Sequence, residues 1–386
     1  MVPTEPETTA PFRPPMHWPS ALAFAGGLIL ILLFLGGAGL FLFGGMFSFL
    51  SPAQAPGEAV SMFSYAAAAF LAGLLLVPMV VMGAKRLGGK PARPAGFLQA
   101  PGSLRWLRLG LWLFPLALGL GAVFNTIPGL DWFFMPGITV LALSLPVAGV
   151  LWLGTKSLPP SSPQRIWTVF GMSLTLTPMI IIVLELVLVF VGLVALAIVV
   201  TATAFMPDLA AEIEGLMEMF QTTLPGQVPD EQALIDLVTT PWVIGALLFF
   251  TAGIVPLLEE SLKPLAIWLL AGRDLSLQDG WVLGLLTGAG FALVENLGNQ
   301  TAGEGWGFLV VARFGATVLH MFNSAIIGYT FVLARQRKRP RIAILAFLGV
   351  LAVHAVWNAA AILATVAGLK DPEASGFGWP LGVILM

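Results

Sequence analysis

Apolar runs long enough to cross a bilayer dominate the chain, with short polar stretches between them. They fall at roughly 20–48, 60–82, 105–127, 132–153, 166–205, 241–271, 281–300, 307–334 and 342–368. A hydrocarbon core about 30 Å thick needs about 20 apolar residues per helix. Each run therefore predicts a transmembrane helix, about nine in all. The run 166–205 is long and holds Pro178, which predicts one tilted, kinked helix or two segments. Between 206 and 240, Leu209, Ile213, Leu216, Met217 and Phe220 recur at helical spacing, with Asp208, Glu212, Glu214 and Glu218 on the other face. That pattern predicts an interfacial hairpin or an acidic lid, with Asp230 capping a second short helix. The expected fold class is all-α, a polytopic membrane protein. Its parts are a disordered tail 1–18, N-terminal transmembrane helices 19–205, an acidic loop 206–240, a transmembrane core 241–368 and a C-terminal tail 369–386. No internal repeat at a fixed period is visible.

Composition sharpens this picture. Of 386 residues, 58% are hydrophobic and 10% charged, with mean hydropathy +0.93. Soluble domains carry about 25% charged residues, so a soluble enzyme with an anchor is excluded and the lipid bilayer is the first partner. A net charge of −2 without a basic stripe argues against nucleic acid. The chain has no cysteine, which removes thiolate catalysis, disulfides and cysteine-ligated metal; a metal would have to use His, Glu, Asp or Asn. The tail lacks the basic n-region of a cleaved signal, and its His17 reads as an exposed tail residue. Lys and Arg gather in loop 83–108, at Lys156 and Arg165, at Arg273, and in 335–341, and are missing from loops 49–59, 128–131, 206–240 and 301–306. The positive-inside rule then predicts a cytoplasmic N-terminus and an external C-terminus, with Lys370 a weak exception.

Against this background the polar residues inside the spans stand out. Glu259 and Glu260 are followed by Lys263, then come Phe291-x-x-x-Glu295-Asn296, His320, and His354-x-x-Trp357-Asn358. An ionised group at the bilayer centre costs about 2.5–3.5 kcal/mol on insertion scales. Such groups are tolerated where they face one another or water, and then mark a functional site. At about 1.5 Å per residue from the cytoplasmic edge, the four clusters lie about 20–24 Å deep. They share one plane, nearer the outer face. Lys263 is placed to neutralise either glutamate at i+3 or i+4, and Pro264 predicts a kink there, because its ring clashes with the carbonyl of Glu260. Gly288, Gly290, Gly298 and Gly315 predict close helix approach. Arg313 is expected to snorkel or pair with a loop, and Asn323 and Ser324 to make interhelical hydrogen bonds. Glu185, in the front half, reads either as a partner for a polar group of the second half or as a structural oddity.

Carboxylates with two imidazoles in a partly dry cavity can activate water: a carboxylate takes the proton while His or Asn donors stabilise the oxyanion. The same groups could instead hold a divalent metal that lowers the pKa of water. There is no H-E-x-x-H helix, no membrane aspartate pair and no G-x-S-x-G. The set E-E-x-x-K (Glu259, Glu260, Lys263), F-x-x-x-E-N (Phe291, Glu295, Asn296), an intramembrane His320 with Gly328 eight residues on, and H-x-x-W-N (His354, Trp357, Asn358) resembles the motifs of the PrsW family of intramembrane proteases. That family is distantly similar to the CAAX prenyl endopeptidases. The resemblance covers about 241–360.

The resemblance implies hydrolysis of a peptide bond in a membrane-protein substrate of the anti-sigma-factor type, in the plasma (inner) membrane of a prokaryote. It casts Glu259 as the water-activating base and Glu260 as its partner. Glu295 would share the water or ligate metal, His354 and Asn358 would hold the oxyanion or a metal, and His320 would complete the site. Lys263, Asn296 and Trp357 would support it. A metal, zinc by donor type, would use Glu259, Glu295, His320 and His354; a metal-independent glutamate mechanism is the alternative. Two rival functions are a non-catalytic membrane scaffold or immunity protein, and a proton- or cation-coupled transporter, against which the missing repeat symmetry counts.

Overall fold

A computed structural model describes residues 18–50, 56–90, 103–127, 129–158, 162–202, 231–270, 274–300, 303 and 305–370. Among them all regular structure is helical. The order is α1 Trp18–Leu50, α2 Pro56–Leu87, α3 Ser103–Phe124, α4 Asp131–Thr155, α5 Pro163–Leu174 and α6 Leu176–Ala202. There follow α7 Glu231–Val238, α8 Pro241–Leu247, a π-helical turn Leu248–Ile254, α9 Val255–Leu262, α10 Leu265–Trp268, α11 Leu277–Gly298, α12 Trp306–Arg337 and α13 Pro340–Lys370. Nine helical stretches among the described residues are long and apolar enough to cross a membrane, in line with the expected all-α polytopic fold. The proposed amphipathic segment 209–220, Asp230, His17 and residues 371–386 lie outside the described residues. Trp18 opens α1 rather than closing the tail.

Proline chemistry sets the breaks. The run from 166 is one span, Pro163–Gly192, interrupted at Thr175. Pro178 has no N–H for the carbonyl of Leu174 and its ring presses on it. Thr175 leaves helical geometry at φ −132°, ψ −73°, and its hydroxyl donates to the Gly171 carbonyl. The span from Pro241 is broken twice. Pro264 ends α9, as its place after the motif predicts, and the chain resumes as the short α10. The earlier break, the π-turn, ends two residues before Pro256.

The core forms around α11, which packs against α12, α5 and α4. Its apolar window is 72% buried, against 6% for the span Pro241–Trp268 and 11% for α13. The motif-bearing span thus lies at the periphery, yet turns Glu259, Glu260 and Lys263 inward together with Pro256, Ala266 and Ile267. Glycines set the spacing of α11 and α12. A methyl on Gly288 would lie 2.5 Å from the His320 carbonyl oxygen, and one on Gly280 would lie 2.6 Å from that of Gly328. Gly290 is close against Ser173 and Gly315 against the Trp357 ring, whereas Gly298 has open space beside it. The expected close approach therefore holds at 288, 290 and 315 and fails at 298, which sits in the last turn of α11.

Candidate active site

Four spans bring one polar cluster together. Glu259, Glu260 and Lys263 come from α9 and the turn after it, Glu295 from α11, His320 and Arg313 from α12, and His354 from α13. Lys263 is at the centre and has no exposed surface. Its Nζ lies 2.8 Å from Glu259 Oε2, 2.8 Å from Glu260 Oε1 and 2.8 Å from His320 Nδ1. An ammonium has three hydrogens to donate and no lone pair, so these contacts use its full capacity. Phe291 closes one side, with Nζ 4.3 Å from its ring centroid, a cation–π contact.

Donor logic assigns both histidine tautomers. His320 Nδ1 accepts from the ammonium, so its hydrogen is on Nε2, which lies 2.6 Å from Glu295 Oε2. Glu295 in turn accepts from Arg313 Nη1 at 2.7 Å. His354 Nδ1 donates to Glu260 Oε1 at 2.8 Å, so in the neutral ring Nε2 presents its lone pair. That lone pair is 3.8 Å from Glu259 Oε2. The two imidazoles meet edge to face, centroids 5.1 Å apart. A continuous chain therefore runs from Arg313 through Glu295, His320 and Lys263 to the glutamate pair and His354.

Burial grades along this chain. The side chains of Glu260 and Lys263 are fully enclosed, and Glu259 is 8% exposed. Arg313 and Glu295, by contrast, are 20% and 28% exposed, so that end of the network faces an opening.

One ligand atom from each of Glu259, Glu260, His320 and His354 lies within 4.8 Å of the others. Two carboxylates and two imidazoles are a zinc-type donor set. Buried Glu260 Oε2 has no hydrogen-bond partner, and the His354 lone pair faces a carboxylate oxygen with no proton between them. The donor types fit a divalent metal, but three of the four converge on Lys263 Nζ, so a metal would have to take the place of that ammonium. Glu295, expected among the ligands, stands one step back, behind His320. A carboxylate on the far nitrogen of a ligating histidine is the usual support in such centres.

Three expected site residues lie elsewhere. Asn358 Nδ2 donates to the Thr251 carbonyl at 2.8 Å, in the π-turn. Asn296 is fully buried and donates to the Leu143 carbonyl and Thr317 Oγ1, tying α11 to α4 and α12. Trp357 covers Gly315 and is 40% exposed. Asn323 Nδ2 and Ser324 Oγ are buried without hydrogen-bond partners among the described residues, contrary to expectation. Arg313, expected to snorkel or meet a loop, instead holds Glu295. The available signal was its position two helical turns before His320 on one face of α12.

A model of a family described as PrsW family intramembrane metalloprotease matches residues 184–386. The match begins well upstream of 241, within α6. No curated protein and no solved structure matches the chain.

Proposed function

The chain belongs to the PrsW family of intramembrane proteases, and from that membership we propose that Glu259 activates the water that hydrolyses its substrate's peptide bond. The observation that carries this assignment is the buried Glu259–Lys263–Glu260–His354 cluster. Glu260 has its Oε1 committed to Lys263 and His354. Glu259 has the more accessible side chain, and its Oε2 lies 3.8 Å from His354 Nε2, so one water beside the pair can donate to both acceptors. That water is held by Glu259 and His354 Nε2. Glu259 takes its proton as the oxygen attacks the scissile carbonyl carbon. The Lys263 ammonium is the fixed positive charge beside the developing oxyanion. Glu259 then passes the proton to the leaving nitrogen as the C–N bond breaks, leaving a carboxylic acid and an amine. Glu260 orients Lys263 and His354; Arg313 and Glu295 orient His320. Asn358 acts at a distance, by holding the π-turn ahead of the motif. A zinc ion held by Glu259, Glu260, His320 and His354 would supply Lewis-acid polarisation of the water and the carbonyl.

The substrate class is a membrane protein of the anti-sigma-factor type, cut near the outer face of a prokaryotic plasma membrane, with the protease's N-terminus in the cytoplasm. The sorting of Lys and Arg among the loops and the shared depth of the motifs support this placement.

Reconstitution of the full chain with a panel of single-pass substrates tests the assignment. Wild type should cleave, and Glu259→Gln should lose about 10²- to 10⁴-fold in rate. Cleavage that persists in Glu259→Ala, Glu260→Ala and His354→Ala would refute the site. Loss of activity on verified metal removal, restored by zinc, supports the metal-assisted form; unchanged activity eliminates it.

A further inference from the structure

Glu185 is unused by this mechanism. It is the one acidic residue in the span Pro163–Gly192, on α6, outside the four motif helices. Leu184 and Leu186 beside it are exposed on the membrane-facing side. Its own side chain is half-buried, and its Oε1 is enclosed with no hydrogen-bond partner. No ion pair involves it among the described residues. Yet α6 packs against α9 and α11, the helices that carry Glu259 and Glu295. A carboxylate in a bilayer with an empty acceptor is costly unless something else fills it.

The chemistry of the reaction supplies an occupant. A peptide bond inside a transmembrane helix can be attacked only after that stretch unwinds. Unwinding frees backbone N–H and C=O groups, and in a dry site each needs a partner from the enzyme. The carboxylates of the cluster are already held in ion pairs with Lys263, Arg313 and His320. Glu295 is engaged by Arg313 and His320, and Glu260 lies fully enclosed. Glu185 is half-buried on a helix packed against the one that carries Glu259, and its enclosed Oε1 has no hydrogen-bond partner. Arg313, with one of its five N–H groups committed to Glu295, is the matching donor on the opposite helix.

We propose that Glu185 is a substrate-binding residue whose carboxylate accepts a backbone N–H of the unwound substrate segment presented to Glu259. The proposal rests on the protease reading above and assigns the site a backbone acceptor that, unlike the motif carboxylates, is in no ion pair among the described residues.

The test pairs enzyme variants with backbone-ester substrates in proteoliposomes. Esters replace amides one at a time at positions flanking the scissile bond, each deleting a single N–H. Glu185→Leu should lower kcat/KM by about 10- to 100-fold, the range for a hydrogen bond to a charged group. Glu185→Gln keeps the size and one acceptor oxygen and should retain part of the activity. At one ester position, wild type should lose a comparable factor, and Glu185→Leu should lose nothing further. If the factors multiply at every position, or if Glu185→Leu cleaves like wild type, the proposal is overturned. The wild-type ester scan and Glu185→Gln keep it testable should Glu185→Leu misfold: an ester scan with no sensitive position, or full activity in Glu185→Gln with unchanged ester sensitivity everywhere, also refutes it. Wild-type cleavage with an inert Glu259→Gln keeps the protease reading intact in either case; a wild type that cleaves no member of the panel overturns both.

Discussion

Lys263 carries most of the electrostatic burden of the cluster. It is the one cation among three buried partners, and removing it leaves Glu259 and Glu260 side by side without a counter-charge. Breaking a buried pair by deleting one partner costs about 3–5 kcal/mol. Lys263→Met should therefore lower the unfolding midpoint markedly, read by thermal unfolding in detergent, as well as abolish cleavage. Glu259→Gln should abolish cleavage with a much smaller stability change, since it removes charge from an acidic cluster. Equal stability losses in the two variants would contradict the central role given to Lys263. Much of this was legible in the chain itself, because i+3 and i+4 spacing places Lys263 beside both glutamates. The role of Arg313 was not: its partner Glu295 is on another helix, and depth alone suggested an interfacial residue.

The π-turn ahead of the motif has a local cause and a distant remedy. Val255 N–H bonds the Phe250 carbonyl, five residues back, so it no longer serves Thr251. The next amide that could reach Thr251 in that register belongs to Pro256, which has no N–H. The Thr251 carbonyl is orphaned, and Asn358 from α13 fills it. Asn358→Leu should cost about 1–3 kcal/mol by leaving that carbonyl unsatisfied and lower activity by letting α9 shift relative to α13. Asn358→Gln, able to donate again, should recover part of both; stability unchanged in Asn358→Leu would rule out the cap. The sequence signals only half of this device. H-x-x-W-N puts His354 and Asn358 on one face of α13, but the register of α13 against the π-turn sends them to different targets, one to Glu260 and one to a backbone carbonyl.

Across the whole molecule, the motif span is peripheral and the glycine-spaced α11–α12 pair is central. The polar cluster thus sits where a buried core meets peripheral helices, and for the proposed protease that gives a membrane-bound substrate a short path to it. Orientation is testable in a chain that has no native cysteine. Single cysteines at Thr126 and Thr239 should react with an impermeant maleimide from outside intact cells, whereas those at Lys90 and Ser157 should react only after permeabilisation. The opposite pattern would invert the assigned topology.

The number of spans, their breaks at proline and the motif residues follow from the chain because each is a local property. Length, hydropathy, a missing N–H and spacing along one helix need no neighbour. The destinations of the polar side chains do not follow, because they depend on the rotation and register of helices packed against one another. That is why Glu295 stands behind His320, why Asn358 serves a backbone carbonyl, and why Arg313 belongs to the network. It is also why Glu185, an oddity when read along its own helix, lies on a helix packed against those of Glu259 and Glu295 with its Oε1 unpartnered.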